Sequence, residues 1–123
     1  MTTAAKVGIT GIDATYYLAK DLDKATTFYT ALLGAEPTMH VPKRVSEWTF
    51  AGGEAFGIYQ PENESDWNPS GGILFHVNDI AASIEACKAL GVTFSGQSED
   101  TPMCHMAFGD DPEGNHFILH QLK

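Results

Sequence analysis

Cysteine is scarce in this 123-residue chain: Cys87 and Cys104 are the only two, and they form no Cys-x-x-Cys pair. A disulfide-stapled scaffold and a dithiol redox motif are thereby excluded, and Cys87, on the apolar stripe of a predicted helix, reads as a buried free thiol. Basic residues are few as well, seven Lys and Arg against sixteen Asp and Glu, for a net charge of −9. Nucleic-acid phosphates require clustered Lys and Arg, so no nucleic-acid partner is expected. No apolar run approaches membrane-spanning length, and Met1 to Thr10 holds one lysine without a leader-like apolar stretch. The expectation is a soluble, cytoplasmic protein with no membrane partner. Gly-rich phosphate loops, a Ser-His-Asp order and the setting of a nucleophilic cysteine are missing too.

What the chain does have is an internal echo. Asp21-Leu22-Asp23-Lys24-Ala25 through Leu33-Gly34 returns as Asp79-Ile80-Ala81-Ala82-Ser83 through Leu90-Gly91, at an offset of 58 that shortens to 57 at the Leu-Gly end. Two copies of one supersecondary unit are implied, with a ligand site expected where they face each other. An apolar fraction of 43% and an aromatic fraction of 11% suit a single folded domain over residues 1–123.

Each copy predicts one strand, one helix and three further strands. In the first module, residues 11–60, a strand from about Gly11 to Ala19 leads to a helix capped by Asp21 and stopped by Gly34. Extended segments follow at about Glu36 to Val41, Val45 to Ala51 and Ala55 to Gln60, with a hairpin turn at Gly52-Gly53. Residues 61–70 read as a linker, in which Trp67 either closes over a pocket or packs at its rim. In the second module, residues 71–122, a strand through Asn78 precedes a helix capped by Asp79. Segments at Val92 to Ser95, Met103 to Phe108 and His116 to Leu122 complete it, with a strong turn at Asp110-Asp111-Pro112-Glu113-Gly114-Asn115. The fold class expected is α+β, two βαβββ modules forming a curved mixed β-sheet around a central cleft with helices on the outer face.

These residues resemble the vicinal oxygen chelate superfamily, which includes glyoxalase I, extradiol dioxygenases and the fosfomycin and bleomycin resistance proteins. The match runs from Gly11 to Gln121. Its carriers are Asp21 to Ala25, Phe28-Tyr29, Leu32-Leu33-Gly34, Phe75-His76-Val77-Asn78-Asp79-Ile80 and Asp111-Pro112-Glu113-Gly114-Asn115. The resemblance implies that metal-binding members place ligands on the first and last strands of each module. The early ligand, usually His, stands seven residues before the capping Asp, which here gives Ala14 and Gly72. The late ligand, usually Glu, falls at Gly57 and Ile118 when Ala55 to Gln60 is aligned with His116 to Gln121 at an offset of 61. None of the four side chains can donate an electron pair to a metal, so no metal or other cofactor is expected. The resemblance also implies a homodimer.

Side chains in a strand repeat every second residue, so Tyr16 and Leu18 share a face with Ala14, Leu74 and His76 with Gly72, Tyr59 with Gly57, and His120 with Ile118. A lining of Tyr16, Tyr59, Leu74, His76 and His120 around a small, apolar floor suits a pocket with a few orienting polar groups. Trp48 and Trp67 join the tyrosines as candidates for stacking on a planar guest. His40, His105 and His116 are assigned to the surface, Glu47 and Glu54 to solvated turns, and Phe28 and Tyr29 to packing of helix on sheet. Three functions stay open: a metal-free binder of a small aromatic or apolar molecule, similar to bleomycin-type resistance proteins; a lyase or isomerase of glyoxalase type using a divalent metal at non-standard ligands; and a metal-free enzyme with His76 or His120 as acid or base. Two His without an inward carboxylate are too few for the facial triad of a dioxygenase.

Overall fold

A computed structural model describes residues 7–96 and 98–123. The echo in the sequence is an echo in space. Asp21, extended at φ −130°, accepts a hydrogen bond from the Lys24 amide at 3.2 Å and starts helix α1, Leu22–Leu33. Asp79 does the same for Ala82 at 3.1 Å and starts α2, Ile80–Ala89. Gly34, at φ +70°, takes the left-handed conformation that ends α1. Among the described residues no helix is long and apolar enough to cross a membrane.

The first module carries β1 (Ala14–Leu18), β2 (Met39–Val41), β3 (Val45–Thr49) and β4 (Ala55–Tyr59) in the spatial order β1-β4-β3-β2. The second carries β5 (Ile73–His76), β6 (Thr93–Phe94), β7 (Glu99–Asp100), β8 (Cys104–Asp110) and β9 (His116–Leu122) in the order β5-β9-β8-β6, with β7 added on β8. First and last strands run parallel in both modules, and the remaining pairs are antiparallel. Tyr16 lies beside Gly57 as Leu74 lies beside Ile118, so the offsets of 58 and 61 read from the sequence describe one register.

The fold class is α+β as expected, with the sheet in two separate pieces of four and five strands. The first strand, Ala14–Leu18, is shorter than the expected Gly11 to Ala19, chiefly at its start, and Leu18 is its last paired residue, opposite Tyr59. The Leu18 amide donates to Ser70 Oγ, and its carbonyl accepts from the Trp67 indole and the Asn115 amide. β7 is a short strand the sequence reading did not anticipate.

Helix-bearing faces of the two sheets supply the core. Tyr17, Leu22, Tyr29, Trp48, Phe56 and Ile58 form one buried cluster, and Cys87, Val92, Ala107, Phe117 and Leu119 form the other. Phe28, Leu32, Ile73 and Phe75 pack against both, and the ring of Phe75 touches Phe56 at 5.4 Å and Phe117 at 5.8 Å between centroids. A polar seam crosses the same junction. Tyr17 donates its hydroxyl proton to the His116 carbonyl and accepts from the Ile73 amide, while the Tyr29 hydroxyl donates to buried Asp111 at 2.7 Å.

Candidate functional site

The sheet faces opposite the helices carry most of the residues singled out from the sequence. On the first sheet Tyr16, Gly57 and Glu47 lie in one cross-strand row, and Leu18, Tyr59 and Val45 in the next. Gly57 is the informative member. A Cβ there would fall within 2.8 Å of three ring carbons of Tyr16, so the ring occupies the space a side chain at 57 would need. Its hydroxyl donates to Glu47 Oε1 at 2.5 Å. Desolvation of the phenol, helped by the bond to Glu47 and its charge, pushes the Tyr16 pKa up to about 12. Glu47, expected in a solvated turn, is instead half-buried on β3 as the anchor of Tyr16.

On the second sheet Leu74, Ile118 and Phe108 form one row, and His76, His120 and Met106 the next. His76 and His120 are therefore side by side, with His76 Nε2 3.1 Å from Asn78 Oδ1. Both faces are open to water: Tyr16 is 41%, Tyr59 37% and Leu74 48% exposed. Among the described residues no hydrogen bond joins the tyrosine pair to the histidine pair.

Two tryptophans stand elsewhere. Trp48 is a correction: it is 2% exposed in the core on the helix-bearing face, its indole donating to the Ala35 carbonyl at 2.9 Å. It therefore cannot stack on a guest held at Tyr16. Trp67 packs at the end of β1, donating to the Leu18 carbonyl at 3.2 Å with the Lys20 ammonium 4.1 Å from its ring centroid. There it borders a small cavity of about 220 Å³ with Gln60 and Glu64. Of the other histidines, His40 and His116 are exposed as expected, while His105 is half-buried beside Asp100 at 3.3 Å.

A larger cavity, about 720 Å³, opens between the modules on their helix-bearing side. Leu74 and His76 reach its wall, but Tyr16, Tyr59 and His120 do not. Sequence reasoning missed its other lining residues, because they come from both helices, the β3–β4 hairpin and the helix-facing strand positions such as Thr15, Phe56, Phe75 and Leu119 rather than from the positions that mark the sheet-face site.

The metal expected of many relatives does not fit this chain. Ala14, Gly57, Gly72 and Ile118 offer no donor atoms, and the Tyr16 ring covers the position at 57. Among the described residues no three His, Cys, Asp or Glu side chains come together as a ligand cluster.

Residues 11–119 match the family model of the Glyoxalase/Bleomycin resistance protein/Dioxygenase superfamily. The chain belongs to this superfamily. Solved structures with the same fold include protein ATC0852 of Agrobacterium tumefaciens, 23% identical, with a TM-score of 0.78 over 94% of this chain and 99% of that one. TnmS3 of Streptomyces sp. CB03234, described as an antibiotic binding protein, is 21% identical, with a TM-score of 0.74 over 96% and 100%. A lactoylglutathione lyase of Agrobacterium tumefaciens is 20% identical, with a TM-score of 0.74 over 93% and 95%. No curated protein sequence matches significantly. At these identities the solved structures establish the shared fold and leave the chemistry to the residues themselves.

Proposed function

We propose that this superfamily member binds a small aromatic or apolar molecule without a metal, on the sheet face that carries Tyr16 and Tyr59, and that a second copy of the chain closes the site. The carrying observation is the Tyr16 ring laid over Gly57 and tied to Glu47. Where the resemblance puts a metal ligand, this chain has a fixed aromatic plate. A plate of this kind offers large contact area at little cost in side-chain entropy, and stacking on it contributes about 0.5–1.5 kcal/mol beyond the area buried. Open faces on both sheets leave a guest half-covered by one chain, which favours a homodimer in which a second sheet supplies the opposite wall.

A second reading keeps the site and adds proton transfer. The side-by-side placement of His76 and His120 supports it, since an imidazole pair on one face can hold and pass a proton. Such an enzyme would be a lyase or isomerase rather than an oxygenase.

The test is a thermal-shift and calorimetric screen of aromatic compounds on the native chain, with sedimentation analysis of its oligomeric state. A bound guest raises the melting temperature, and Tyr16→Ala lowers its affinity about tenfold. His76→Gln with His120→Gln costs a binder part of its affinity, whereas an enzyme loses turnover and keeps binding. A stoichiometric divalent ion in protein purified without chelator overturns the proposal, as does a guest that binds Tyr16→Ala as tightly as the native chain.

A further inference from the structure

The two copies of the repeat differ most where they should match in bulk. Counted from the capping Asp, Phe28 and Tyr29 on α1 correspond to Ala86 and Cys87 on α2, each pair seven and eight residues after its cap. Tyr29 and Cys87 are each buried against their own sheet, so the correspondence holds in space. In the first module two aromatic rings fill the space under the helix, with Phe28 and Tyr29 edge to face at 4.9 Å. In the second module a methyl and a thiol stand in their place. The 720 Å³ cavity lies at that spot, and both Ala86 and Cys87 line it.

Its walls are mostly apolar, from Leu33, Phe56, Phe75 and Leu90 among others, and its size lies within the range of small-molecule sites. The carboxylates along it are Asp13 and Glu54, with no Lys or Arg, and His76 is the one imidazole on its wall. Among the described residues neither carboxylate has an ion-pair partner. An apolar body with an acidic mouth is complementary to an amphipathic cation.

We infer that this inter-module cavity is a second binding site, separate from the Tyr16 face, that takes a hydrophobic amine: the apolar body packs against Ala86, Cys87 and Phe75, and the ammonium faces Asp13 and Glu54. The inference does not depend on the function proposed above.

Three probes of one shape test it on the native chain by calorimetry: 1-naphthylmethylamine, 1-naphthalenemethanol and 1-naphthoate. The ammonium is expected to bind one per chain, about tenfold or more tighter than the alcohol, with the carboxylate weakest. Asp13→Asn with Glu54→Gln, both at the exposed mouth, brings the ammonium down to the level of the alcohol and leaves the alcohol unchanged. Ala86→Phe restores the bulk of the first copy and abolishes binding of all three. Should that variant fail to fold in a thermal melt, the charge variants and the probe series still decide. Equal binding of ammonium and alcohol to the native chain overturns the inference, as does undiminished binding by a folded Ala86→Phe. Loss of ammonium binding in Tyr16→Ala would move the amine to the sheet face and overturn it too.

Discussion

Asp111 holds more of this molecule together than any turn residue needs to. One carboxylate oxygen accepts the amides of Glu113 and Asn115, both at 2.9 Å, and the other accepts the Tyr29 hydroxyl at 2.7 Å and the Asn115 side-chain amide at 3.1 Å. Asn115 passes the contact on to the Leu18 carbonyl and the Ser70 amide. The group is 6% exposed, so each donor stranded by its removal would lie away from water. Asp111→Ala is expected to cost about 3 kcal/mol, read as a lowered urea midpoint, because unsatisfied buried donors cost about 1–3 kcal/mol each. Glu113 also accepts two amides, those of Lys20 and Asp21, at 2.8 and 2.9 Å, but in exposed surroundings where water can replace it. Glu113→Ala should therefore cost only about 1 kcal/mol. Equal losses in the two variants would show that burial is not what separates them.

At the scale of elements, the helix starts show how far the sequence could be read. Asp21, Asp79, Gly34 and the Leu-Gly endings were legible because caps and stops act through neighbours in the chain. The correspondence between the two copies was legible too, since the two offsets carry it, but which residues pair across the strands was not. Nor were partners that act across the fold. The first amide of each helix, Leu22 and Ile80, donates to a glutamine at the end of its module's last strand, Gln60 at 2.8 Å and Gln121 at 2.7 Å. Nothing local in the chain announces that pairing, nor that Trp48 faces the core, nor that Tyr16 lies over Gly57. The cavity left by Ala86 and Cys87 was written in the repeat, but it becomes visible only when the copies are compared for volume rather than for pattern. Gln121→Ala should destabilise α2 by about 1 kcal/mol, the usual cost of a lost N-terminal cap, with faster amide exchange at Ile80. Gln121→Glu keeps an acceptor and adds negative charge at the helix start, so it should retain protection; a loss equal to that of the alanine variant would argue that packing rather than capping is at work.

For the whole molecule the seam between modules runs through tyrosine hydroxyls, and that gives stability an alkaline limit. Burial holds the pKa of Tyr17 above its ordinary value of 10.0, and burial together with the charge of Asp111 holds that of Tyr29 higher still. Both phenols serve as donors across the seam, to the His116 carbonyl and to Asp111, so the folded state needs their protons. In the unfolded chain they ionise near pH 10. Below that pH both states hold the proton and the stabilisation is fully present; above it the unfolded state binds fewer protons, and unfolding becomes easier as pH rises. Each retained proton makes stability fall by up to about 1.4 kcal/mol per pH unit. Urea midpoints should accordingly stay level as far as these groups are concerned from pH 7 to near 10, then drop. Tyr29→Phe should be less stable at pH 7, having stranded Asp111, yet show a shallower alkaline slope by about one proton. Tyr16, whose pKa is also raised, to about 12, adds a smaller, solvent-screened part of the same slope, so Tyr16→Phe should make it somewhat shallower between pH 10 and 12 as well. A profile that stays flat to pH 11, or a Tyr29→Phe slope as steep as that of the native chain, would mean that the two modules are held together by their shared aromatic core alone.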